Sequence, residues 1–384
     1  MFGIYDLAGV AFCALSLIAI GFTLAAAASV ALRSGRARKA QPGRGSVSLL
    51  KPLHLAEAGL EDNLRSFFEQ EYSGSVQIVF GAESRKDPAL AVVEKLVREF
   101  PQADVAIVTD PAFGGSNPKV ANLINMAAHA RHEVLVLSDS DIRVGRNYLC
   151  EVVAALDEPG IGAVSCLYSG KPIGSVWAKL AAMGIDYHFL PNVCLGIALR
   201  LTEPCFGSTI ALKRSILEEI GGLESLANVL ADDYELGRAV REKGYRVRIP
   251  MGLAVEHVCS EDSLKSLFHQ ELRWARTNLL LAKAGYAGTL LTYPLPLALL
   301  AVLFGGFSVL SLAILGSALA SRLYLVFQSG RFTGVRVGSL WLLPLRDVLS
   351  FAIFVVSFFG HTVEWRGTRY VAAPDGALAQ FRGA

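Results

Sequence analysis

The stretch Val134-Leu-Val-Leu137-Ser138-Asp139-Ser140-Asp141 contains the main clue to the fold, because an apolar burst is followed at once by two acidic residues. Four apolar residues bounded by polar ones are typical of a short β-strand that is buried on both faces. In an open sheet of parallel strands, ligands bind just beyond the carboxyl ends of the strands. We therefore expect Asp139 and Asp141 at the ligand-binding edge of such a sheet.

Upstream of this stretch, apolar bursts alternate with segments that have the periodicity of amphipathic helices. The predicted strands are Val47-Ser-Leu-Leu50, Val76-Gln-Ile-Val-Phe80 and Val105-Ala-Ile-Val108, and the predicted helices are residues 60–71 and 88–100. Strands that alternate with helices indicate an α/β fold with a mainly parallel sheet covered on both faces. We assign residues 45–258 to this domain.

Asp139 and Asp141 form a DxD pattern, in which two carboxylates after a buried strand can share one divalent cation. Hard cations such as Mg²⁺ and Mn²⁺ prefer oxygen ligands and also bind diphosphate groups. Both residues are therefore candidate metal ligands, one directly and one through ribose or water. Asp also caps many turns, so the pattern alone is not decisive.

A second acidic stretch, Ala231-Asp232-Asp233-Tyr234-Glu235, opens a predicted helix that continues to Lys243. Asp232 suits the N-cap position of this helix. Asp233, if it faces a metal–diphosphate site, could remove the proton from an acceptor hydroxyl group. The stretch thus offers a candidate general base beside a structural cap.

A third stretch, Gln270-Glu-Leu-Arg273-Trp274, lies on a predicted amphipathic helix of residues 264–282. Arginine can neutralise a leaving diphosphate through forked hydrogen bonds, and tryptophan can form an apolar wall at the membrane boundary. A helix that merely lies in the membrane interface is also rich in Arg and Trp. The stretch taken singly therefore does not establish a site.

Both ends of the chain contain membrane segments by length and apolarity. Residues 7–32 have no charged residue, and a spanning helix needs roughly 20 apolar residues. Basic residues follow this run and none precedes it: Arg33, Arg36, Arg38, Lys39 and Arg44. This asymmetry predicts an anchor in residues 1–34 with the next domain in the cytosol. The alternative, a cleaved signal peptide, requires a basic N-terminal region and a shorter apolar core.

The C-terminal part of the chain is apolar again. Residues 284–321 have no charge and could form two short spans that turn at Gly305-Gly306. A further run, residues 337–360, contains Arg346 and Asp347, which we expect to form an internal ion pair or to face the active site, because ionisable residues are costly in a bilayer. The resulting division is as follows: interfacial helix 259–285, membrane region 286–362 and tail 363–384.

The composition agrees with a membrane protein that has one large folded domain. Of the 384 residues 53% are hydrophobic, and the mean hydropathy of +0.43 is high for a wholly soluble chain. A net charge of +2 is too small for a nucleic-acid-binding protein. The six cysteines are scattered without CxxC spacing, so we expect them to be reduced and structural.

Taken together, Asp87, Asp139-Ser-Asp141, Asp233 and Gln270-x-x-Arg273-Trp274 occur in the order D, DxD, D, QxxRW. This order resembles the inverting family-2-type glycosyltransferases of the GT-A fold, and more closely the ceramide glucosyltransferase family, family 21. Further matching stretches between about residues 46 and 285 are Lys51-Pro-Leu, Asn63-Leu-x-x-Phe-Phe-Glu, Asn117-Pro-Lys119-x-x-Asn122-Leu, Asp139-Ser-Asp-Ile-Arg-Val144 and Ala231-Asp-Asp233-Tyr.

Three stretches are similar to a bacterial branch of that family, the glycosyltransferases associated with hopanoid biosynthesis. They are Leu190-Pro-Asn-Val193, Pro204-Cys-Phe-Gly-Ser208 and Leu230-Ala-Asp-Asp-Tyr234. The resemblance implies a Rossmann-like GT-A domain, a donor such as UDP-glucose or UDP-N-acetylglucosamine, and a lipid acceptor such as ceramide or a hopanoid (bacteriohopanetetrol, for example). It also implies the bacterial inner membrane, with the catalytic domain in the cytosol.

The resemblance implies a role for each acidic position. Asp87 would contact the uracil or ribose, Asp139 and Asp141 would hold the nucleotide and the metal, and Asp233 would be the general base. Asp141 departs from the animal ceramide enzymes, which have Gly there. The complete DxD in this chain therefore favours dependence on a divalent cation, Mg²⁺ or Mn²⁺.

The resemblance also implies roles outside the aspartates. Gln270, Arg273 and Trp274 would bind the diphosphate and the mouth of the acceptor site. Lys119, predicted in a loop after the third strand, would neutralise phosphate, with a solvated lysine as the alternative. His188 lies among apolar residues, and we interpret it as a structural histidine rather than an acceptor contact.

Two other functions share part of this pattern. A processive polysaccharide synthase also contains QxxRW, but it needs enough helices to enclose a polymer channel, and three or four spans are too few. A non-catalytic membrane scaffold on a decayed transferase domain is expected to have lost one of the acidic positions, and all of them are present here.

Overall fold

A computed structural model of the chain describes residues 4–33, 45–109, 113–334, 339–360, 362–365, 368–372 and 378–380. Most of the basic stretch that was used to predict the orientation of the anchor, residues 34–44, lies outside the described part. The chain divides into two compact units. One consists of Met1–Gly35, Ser175–Thr202 and Glu261–Gly367, and the other of Arg36–Gly174, Glu203–Ser260 and Thr368–Ala384.

Helices and strands alternate through the first two thirds of the chain, and helices dominate after residue 260. The helices are α1 (Ile4–Ala31), α2 (Leu60–Phe68), α3 (Ala89–Glu99), α4 (Pro118–Ala127), α5 (Tyr148–Leu156), α6 (Val176–Gly184), α7 (Leu190–Ala198), α8 (Arg214–Glu219), α9 (Asp232–Glu242), α10 (Leu264–Leu281), α11 (Lys283–Gly288), α12 (Pro294–Gly305), α13 (Val309–Thr333) and α14 (Leu343–Ser357). The strands are β1 (Val47–Pro52), β2 (Val76–Gly81), β3 (Asp104–Val108), β4 (Val134–Leu137), β5 (Ile142–Arg143), β6 (Ile161–Ser165), β7 (Leu167–Pro172), β8 (Ile210–Lys213), β9 (Arg246–Arg248), β10 (Ala254–Cys259), β11 (Thr362–Trp365), β12 (Thr368–Ala372) and β13 (Leu378–Gln380).

The second unit is built on a seven-stranded sheet with the order β3-β2-β1-β4-β8-β6-β9. Strands β3, β2, β1 and β4 are parallel, and β6 is parallel to β9. Only β8 runs antiparallel to both of its neighbours in this sheet of described residues. The prediction of an α/β fold with a mainly parallel sheet is confirmed.

Both faces of this sheet are covered, as the continuous apolar strands predict. Alternate residues of one strand belong to different cores: Leu49 contributes to one cluster and Leu50 to the other. In β4, Val136 joins the first cluster and Leu135 the second. All four side chains are fully buried, because helices pack against the sheet from both sides.

A small second sheet has the order β5-β10-β7. Its strand β5 begins directly after Asp141, the last residue of the DxD stretch. Strand β10 is antiparallel to β5 and parallel to β7. His257 of β10 is paired with Ile142 of β5. This pairing brings a residue that is 116 positions away in the chain to the end of the DxD stretch.

The first unit contains the apolar helices. Helix α1 packs against α12 and α13, and its Gly9 crosses Gly305 so closely that a Cβ atom on Gly9 would lie 2.5 Å from the Gly305 Cα. Small residues commonly allow such close approach of helices in membranes. Phe12 and Phe304 stack beside this crossing, with ring centroids 5.5 Å apart.

Three of the described helices are long and apolar enough to span a membrane: Leu7–Ala31, Val309–Thr333 and Leu340–Ser357. A bent pair, Lys283–Thr292 with Pro294–Gly305, would add a fourth span if it counts as one, with a 70° bend between its parts. The predicted turn at Gly305-Gly306 is present, since α12 ends at Gly305 and Gly306 has a positive φ of 73°.

Arg346 and Asp347 do not pair with each other, so this alternative is wrong, and the alternative that they face the active site stays a prediction. Arg346 forms its ion pair with Glu271 of α10, and Asp347 forms its own with Arg322 of α13. Neighbouring residues on a helix do not face each other, so adjacent charges must find partners on other helices. Arg322, Arg346 and Asp347 are buried, and the Glu271 side chain is only 12% exposed, in line with the cost of charges in a bilayer.

Smaller expectations agree with the structure. All six cysteines are free. His188 stacks on Tyr293, with ring centroids 4.7 Å apart, and its Nε2 lies 3.4 Å from the Thr292 hydroxyl. These contacts are those of a structural histidine.

Candidate functional site

The antiparallel insertion of β8 beside β4 creates the candidate site. Its register pairs Leu137, the last residue of β4, with Ile210, the first residue of β8. The segment before β8 therefore meets the segment after β4, and Gly207 comes to lie beside Asp139. A Cβ atom on Gly207 would be 3.0 Å from the Lys119 Nζ, 3.4 Å from an Asp139 carboxylate oxygen and 3.5 Å from one of Asp233. Three predicted site residues thus surround one glycine.

Lys119 lies in the first turn of α4, not in a loop as predicted. The Asn117 side chain caps this helix by accepting a hydrogen bond from the Val120 N–H. The Lys119 Nζ is 2.6 Å from Asp139 Oδ1 and 3.7 Å from Asp232 Oδ2. A helix N-terminus that also presents a lysine is a favourable place for a phosphate group.

Asp233 lies in the first turn of α9, and its carboxylate accepts hydrogen bonds from two backbone N–H groups. The Gly207 N–H donates to Oδ2 at 2.9 Å, and the Asp233 carboxylate also accepts from the Tyr234 N–H at 2.8 Å. Burial and the neighbouring Asp232 raise the pKa of Asp233 to about 6, with Lys119 acting in the opposite direction. A carboxylate with this pKa is close to ideal as a general base near neutral pH.

Asp232 is not the N-cap that the sequence suggested. Ala231 occupies the N-cap position, and Asp232 is the first helical residue. Asp232 Oδ1 instead accepts from the Asn117 side-chain amide at 3.2 Å. Asp232 therefore links the start of α9 to the start of α4, and it balances the charge of Lys119.

Asp141 lies beside His257, whose Nδ1 is 3.7 Å from Asp141 Oδ2. The other carboxylate oxygen, Oδ1, is buried and has no hydrogen-bond partner among the described residues. An acceptor left in this state is costly unless something else binds it. Over the described ranges no set of three or more acidic, His or Cys side chains surrounds a common point for a metal. Asp141 is therefore the carboxylate with an oxygen left unpartnered among the described residues, whereas Asp139 already binds Lys119.

Sequence reasoning assigned no role to Lys51, although its stretch was part of the family resemblance. Lys51 is fully buried in β1, and its Nζ donates to the Asp139 carbonyl at 2.5 Å and to the Ser138 hydroxyl at 3.3 Å. The same ammonium lies 3.9 Å from the centre of the Phe67 ring, and burial lowers its pKa to about 7. Lys51 fixes the backbone of the DxD turn. A lysine in an otherwise apolar strand was the signal that could have revealed it.

Gly207 and His257 were also missed as functional residues. Gly207 appeared only within a stretch quoted for the resemblance, and nothing about a single glycine shows that two carboxylates and an ammonium surround it. His257 lies in a strand of the second sheet, and its approach to Asp141 depends on the pairing of β10 with β5. No local sequence pattern predicts the contacts of Gly207 or the approach of His257 to Asp141.

Asp87 makes hydrogen bonds outside this group. Its Oδ1 accepts from the Ala89 N–H at 2.9 Å at the start of α3, and its Oδ2 accepts from the Leu55 N–H at 3.1 Å. Leu55 has a left-handed φ of 61°, so Asp87 orders a strained loop after β1. The contact of Asp87 with uracil or ribose stays a prediction.

Gln270, Arg273 and Trp274 lie on α10, which belongs to the unit with the apolar helices. The Arg273 Nη2 donates to the Gln270 side chain at 3.4 Å, and the guanidinium lies 6.0 Å from the centre of the Trp274 ring. The three side chains therefore share one face of the helix, as their i, i+3 and i+4 spacing predicts. Their approach to a diphosphate stays a prediction.

Comparisons with known proteins match most of the chain. A family model described as glycosyl transferase family 21 matches residues 11–378. Ceramide glucosyltransferase 1 of Caenorhabditis elegans is 24% identical over 369 residues, covering 88% of this chain and 74% of the worm protein. The ceramide glucosyltransferase of Candida albicans is 30% identical over 122 residues, which cover 29% of this chain and 22% of the yeast protein.

Among solved structures, the mannosyltransferase PcManGT from Pyrobaculum calidifontis, in complex with GDP-Man and Mn²⁺, is similar with a TM-score of 0.51. The match covers 93% of this chain and 99% of that protein at 20% sequence identity. At this level of identity the likeness concerns the fold alone, and it agrees with the predicted GT-A arrangement.

Proposed function

Because the chain belongs to glycosyl transferase family 21, we propose that it transfers one sugar from a UDP-sugar to a hydroxyl group of a membrane lipid, with inversion at the anomeric carbon. UDP-glucose and UDP-N-acetylglucosamine are the proposed donors. Ceramide and a hopanoid polyol are the proposed acceptors, since both present a hydroxyl group on an apolar body. The proposed location is the cytosolic face of a bacterial inner membrane.

The observation that carries this proposal is the convergence of Lys119, Asp139 and Asp233 around Gly207. A transferase needs a cationic group for the diphosphate and a base for the acceptor within reach of one sugar. Lys119 at the start of α4 supplies the first, and Asp233 at the start of α9 supplies the second. Asp87, Asp139, Gln270, Arg273 and Trp274 are proposed to complete the binding of donor and acceptor.

The proposed chemistry is a single in-line displacement. The lipid hydroxyl oxygen attacks the anomeric carbon while the bond from that carbon to the β-phosphate oxygen breaks, and UDP leaves with the bonding electrons. The hydroxyl proton passes to a carboxylate oxygen of Asp233. One displacement inverts the anomeric centre, so an α-linked donor gives a β-glycoside. Lys119 and Arg273 are proposed to offset the charge on the leaving diphosphate.

The residues present fit a divalent cation at Asp141. This fit rests on the buried, unpartnered Oδ1 of Asp141, within the described part of the chain, and on its oxygen chemistry, which suits Mg²⁺ or Mn²⁺. We propose Asp141 as the direct ligand and Asp139 as the nearby carboxylate that contacts the nucleotide or a metal-bound water. When bound, the cation would act as a Lewis acid that neutralises the diphosphate. Lys51 is proposed to orient the Asp139–Asp141 turn, because its ammonium donates a hydrogen bond to the Asp139 carbonyl.

The small number of apolar helices supports a lipid acceptor. Three described helices, or four with the bent pair, satisfy the length and apolarity of a span. A processive synthase has to enclose its growing polymer, which takes more helices than this. A lipid, in contrast, can present its hydroxyl group from the bilayer and receive one sugar.

The proposal is tested by incubating the purified full-length protein with labelled UDP-glucose or UDP-N-acetylglucosamine, Mn²⁺ and vesicles that contain either ceramide or bacteriohopanetetrol. We expect a lipid with a single β-linked sugar, identified by mass spectrometry and by its glycosidase sensitivity. A ladder of oligosaccharides would identify a polysaccharide synthase instead. UDP release without any glycosylated lipid would exclude both acceptors.

The raised pKa of Asp233 predicts an acidic limit to activity. A general base must be ionised, so kcat/KM for the donor should fall below about pH 6 by about tenfold per pH unit, and level off above pH 7. The measurement is kcat/KM between pH 5 and 8 at saturating Mn²⁺. Glu151, another carboxyl whose pKa is raised by burial, provides the control, since Glu151→Gln should leave the profile unchanged.

Removal of divalent cations with EDTA is expected to abolish transfer, and added Mn²⁺ should restore it. Asp141→Asn should raise the Mn²⁺ concentration for half-maximal activity by at least about tenfold, the smaller end of the effect of changes near metal sites. Electron paramagnetic resonance of Mn²⁺ titrated with the UDP-bound protein checks the same affinity without turnover. Asp104→Asn, at the amino end of β3, serves as the control and should change neither the Mn²⁺ concentration for half-maximal activity nor the Mn²⁺ affinity. If Asp141→Asn also changed neither quantity, the assignment of Asp141 as a metal ligand would be wrong.

A further inference from the structure

Two buried ion pairs join helices in the unit that contains the apolar spans. Arg346 of α14 donates from Nη1 and Nη2 to the two carboxylate oxygens of Glu271 on α10, at 2.7 and 2.6 Å. Arg322 of α13 binds Asp347 of α14 in the same forked way, at 2.8 and 2.7 Å. The side chains of all four residues are between 3% and 12% exposed, so both pairs are shielded from solvent.

The guanidinium of Arg346 is held on a third side by α6. Its Nη1 also donates to the Leu180 carbonyl at 3.1 Å. Gly184 of α6 leaves space for it, because a Cβ atom on Gly184 would lie 2.7 Å from the Arg346 Nη2. Helices α6, α10 and α14 therefore meet at one planar group whose forked geometry lysine does not reproduce.

Glu271 lies within the QxxRW stretch, between Gln270 and Arg273. Successive residues of an α-helix are separated by about 100° around its axis. Gln270, Arg273 and Trp274 therefore occupy an arc of about 100°, and Glu271 lies about 110° from the centre of that arc. The ion pair between Glu271 and Arg346 holds α10 at one rotation about its axis. It therefore also sets the direction of the helix face that carries Gln270, Arg273 and Trp274.

Stability alone is a weak reason for such a pair. Replacing a buried ion pair by apolar residues of similar size is often neutral or stabilising, because the charges no longer have to be desolvated. What the pair supplies is a defined arrangement of the helices that carry it. We propose that Arg346, acting through Glu271, is a positioning residue that sets the rotation of α10 and so fixes the direction of the Gln270 and Arg273 side chains for binding of the donor diphosphate. This inference rests on the proposed function, which assigns Gln270 and Arg273 to that diphosphate.

The second pair offers a matched control, since it has the same chemistry and burial in the same unit. Arg322 also donates to a backbone carbonyl, that of Tyr187, at 2.7 Å, and its carboxylate partner is on α14 rather than on α10. The test compares the double variant Glu271→Met/Arg346→Met with the double variant Arg322→Met/Asp347→Met. Both remove two buried charges and leave one carbonyl without its arginine donor.

The readout is the affinity of the full-length, detergent-solubilised protein for UDP in the presence of Mn²⁺, measured by calorimetry, with thermal unfolding recorded for each variant. We expect Glu271→Met/Arg346→Met to bind UDP at least about tenfold more weakly, the loss that one misdirected charge-assisted hydrogen bond causes. Arg322→Met/Asp347→Met should bind UDP within about twofold of the parent, the precision of such a comparison, because its pair does not touch α10. Equal UDP affinities for the two double variants, whether normal or lowered, would overturn the positioning role.

Arg346→Lys keeps the positive charge but loses the paired hydrogen bonds to Glu271. It tests the positioning role if the double variant does not fold. We expect weaker UDP binding by the folded Arg346→Lys protein, whereas Arg322→Lys, which loses a fork of the same kind, should bind UDP normally. Normal UDP binding by Arg346→Lys would contradict the proposal. Arg273→Met separates this failure from failure of the proposed function: if Arg273→Met also binds UDP normally, then the assignment of QxxRW to the diphosphate is itself wrong.

Discussion

Replacing Asp233 by Asn is expected to lower kcat by about 10²–10⁴-fold, the usual contribution of a general base, while UDP-sugar still binds. Asn keeps the shape of the side chain and can still accept the hydrogen bond from the Gly207 N–H, but it cannot take the proton of the acceptor hydroxyl group. The measurement is single-turnover transfer to the lipid, combined with a binding titration of UDP. Near-normal turnover by Asp233→Asn would remove Asp233 from the role of base.

Unfolding does not explain such a loss, because the sign of the pKa shift predicts the opposite effect on stability. The pKa of Asp233 is raised in the folded protein to about 6, from a usual value near 4. The folded state therefore holds this proton more tightly than the unfolded state, and stability falls as the pH rises from about 4 to about 6. At pH 7 the uncharged Asn avoids the cost of the buried charge, but it can accept only one of the two backbone hydrogen bonds of Asp233, so thermal unfolding at pH 5 and pH 7 will check that Asp233→Asn stays folded.

Replacing Lys119 by Met is expected to raise the KM for the UDP-sugar by about 10–100-fold, because a charge-assisted hydrogen bond to phosphate is lost. The same change leaves Asp139 and Asp232 without their common cation and removes the charge that lowers the pKa of Asp233. The acidic limit of kcat/KM should therefore move to higher pH. Steady-state kinetics between pH 5 and 8 measure both effects.

Two variants serve as controls for Lys119. Lys119→Arg keeps the positive charge beside Asp139 and should retain most of the donor affinity and the original pH limit. Lys95→Met removes an exposed lysine that pairs with Glu61 on the surface, and it should change neither quantity. If Lys119→Met showed a normal KM and an unchanged pH profile, Lys119 would be a structural partner of Asp139 only.

Gly207 explains why the two predictions are linked. The glycine leaves free the space in which Lys119, Asp139 and Asp233 converge, and its own N–H binds Asp233. A donor sugar phosphate entering this space would meet the cation on one side and the base on the other. The group acts as a unit, so changes at Lys119 and Asp233 should not be additive.

Local sequence patterns predicted the elements of the fold well. The four apolar bursts became β1 to β4, with boundaries that moved by no more than two residues at either end, because continuous apolarity is needed where both faces of a strand are buried. The helix that opens at Asp232 and the helix that carries QxxRW were also predicted within one residue. Apolar length likewise identified α1 and α14 as candidate spans, but it ended the second of the two short C-terminal spans at residue 321, whereas α13 continues to Thr333. These features depend on residues close together in the chain.

Pairings between distant residues could not be predicted in this way. The sequence placed Lys119 in a loop and Asp232 at an N-cap, whereas the structure has Lys119 in a helical turn and Asp232 bound to Asn117 and Lys119. Arg346 and Asp347 are adjacent in the chain, yet each binds a residue on another helix. Which partners meet depends on the packing of whole helices, and adjacent positions on a helix point in different directions.

The sequence by itself therefore determined the first four strands and the helices α2 and α3 between them, the apolar character of both chain ends and the acidic residues available for catalysis, since each follows from local composition and period. Only the tertiary structure decided that β8 runs antiparallel beside β4, which brings Gly207 and Asp233 to Asp139. It also decided that Glu271 is the partner of Arg346. Such contacts are selected by the packing of elements far apart in the chain, where hydrogen-bond geometry and burial of charge have to be satisfied together.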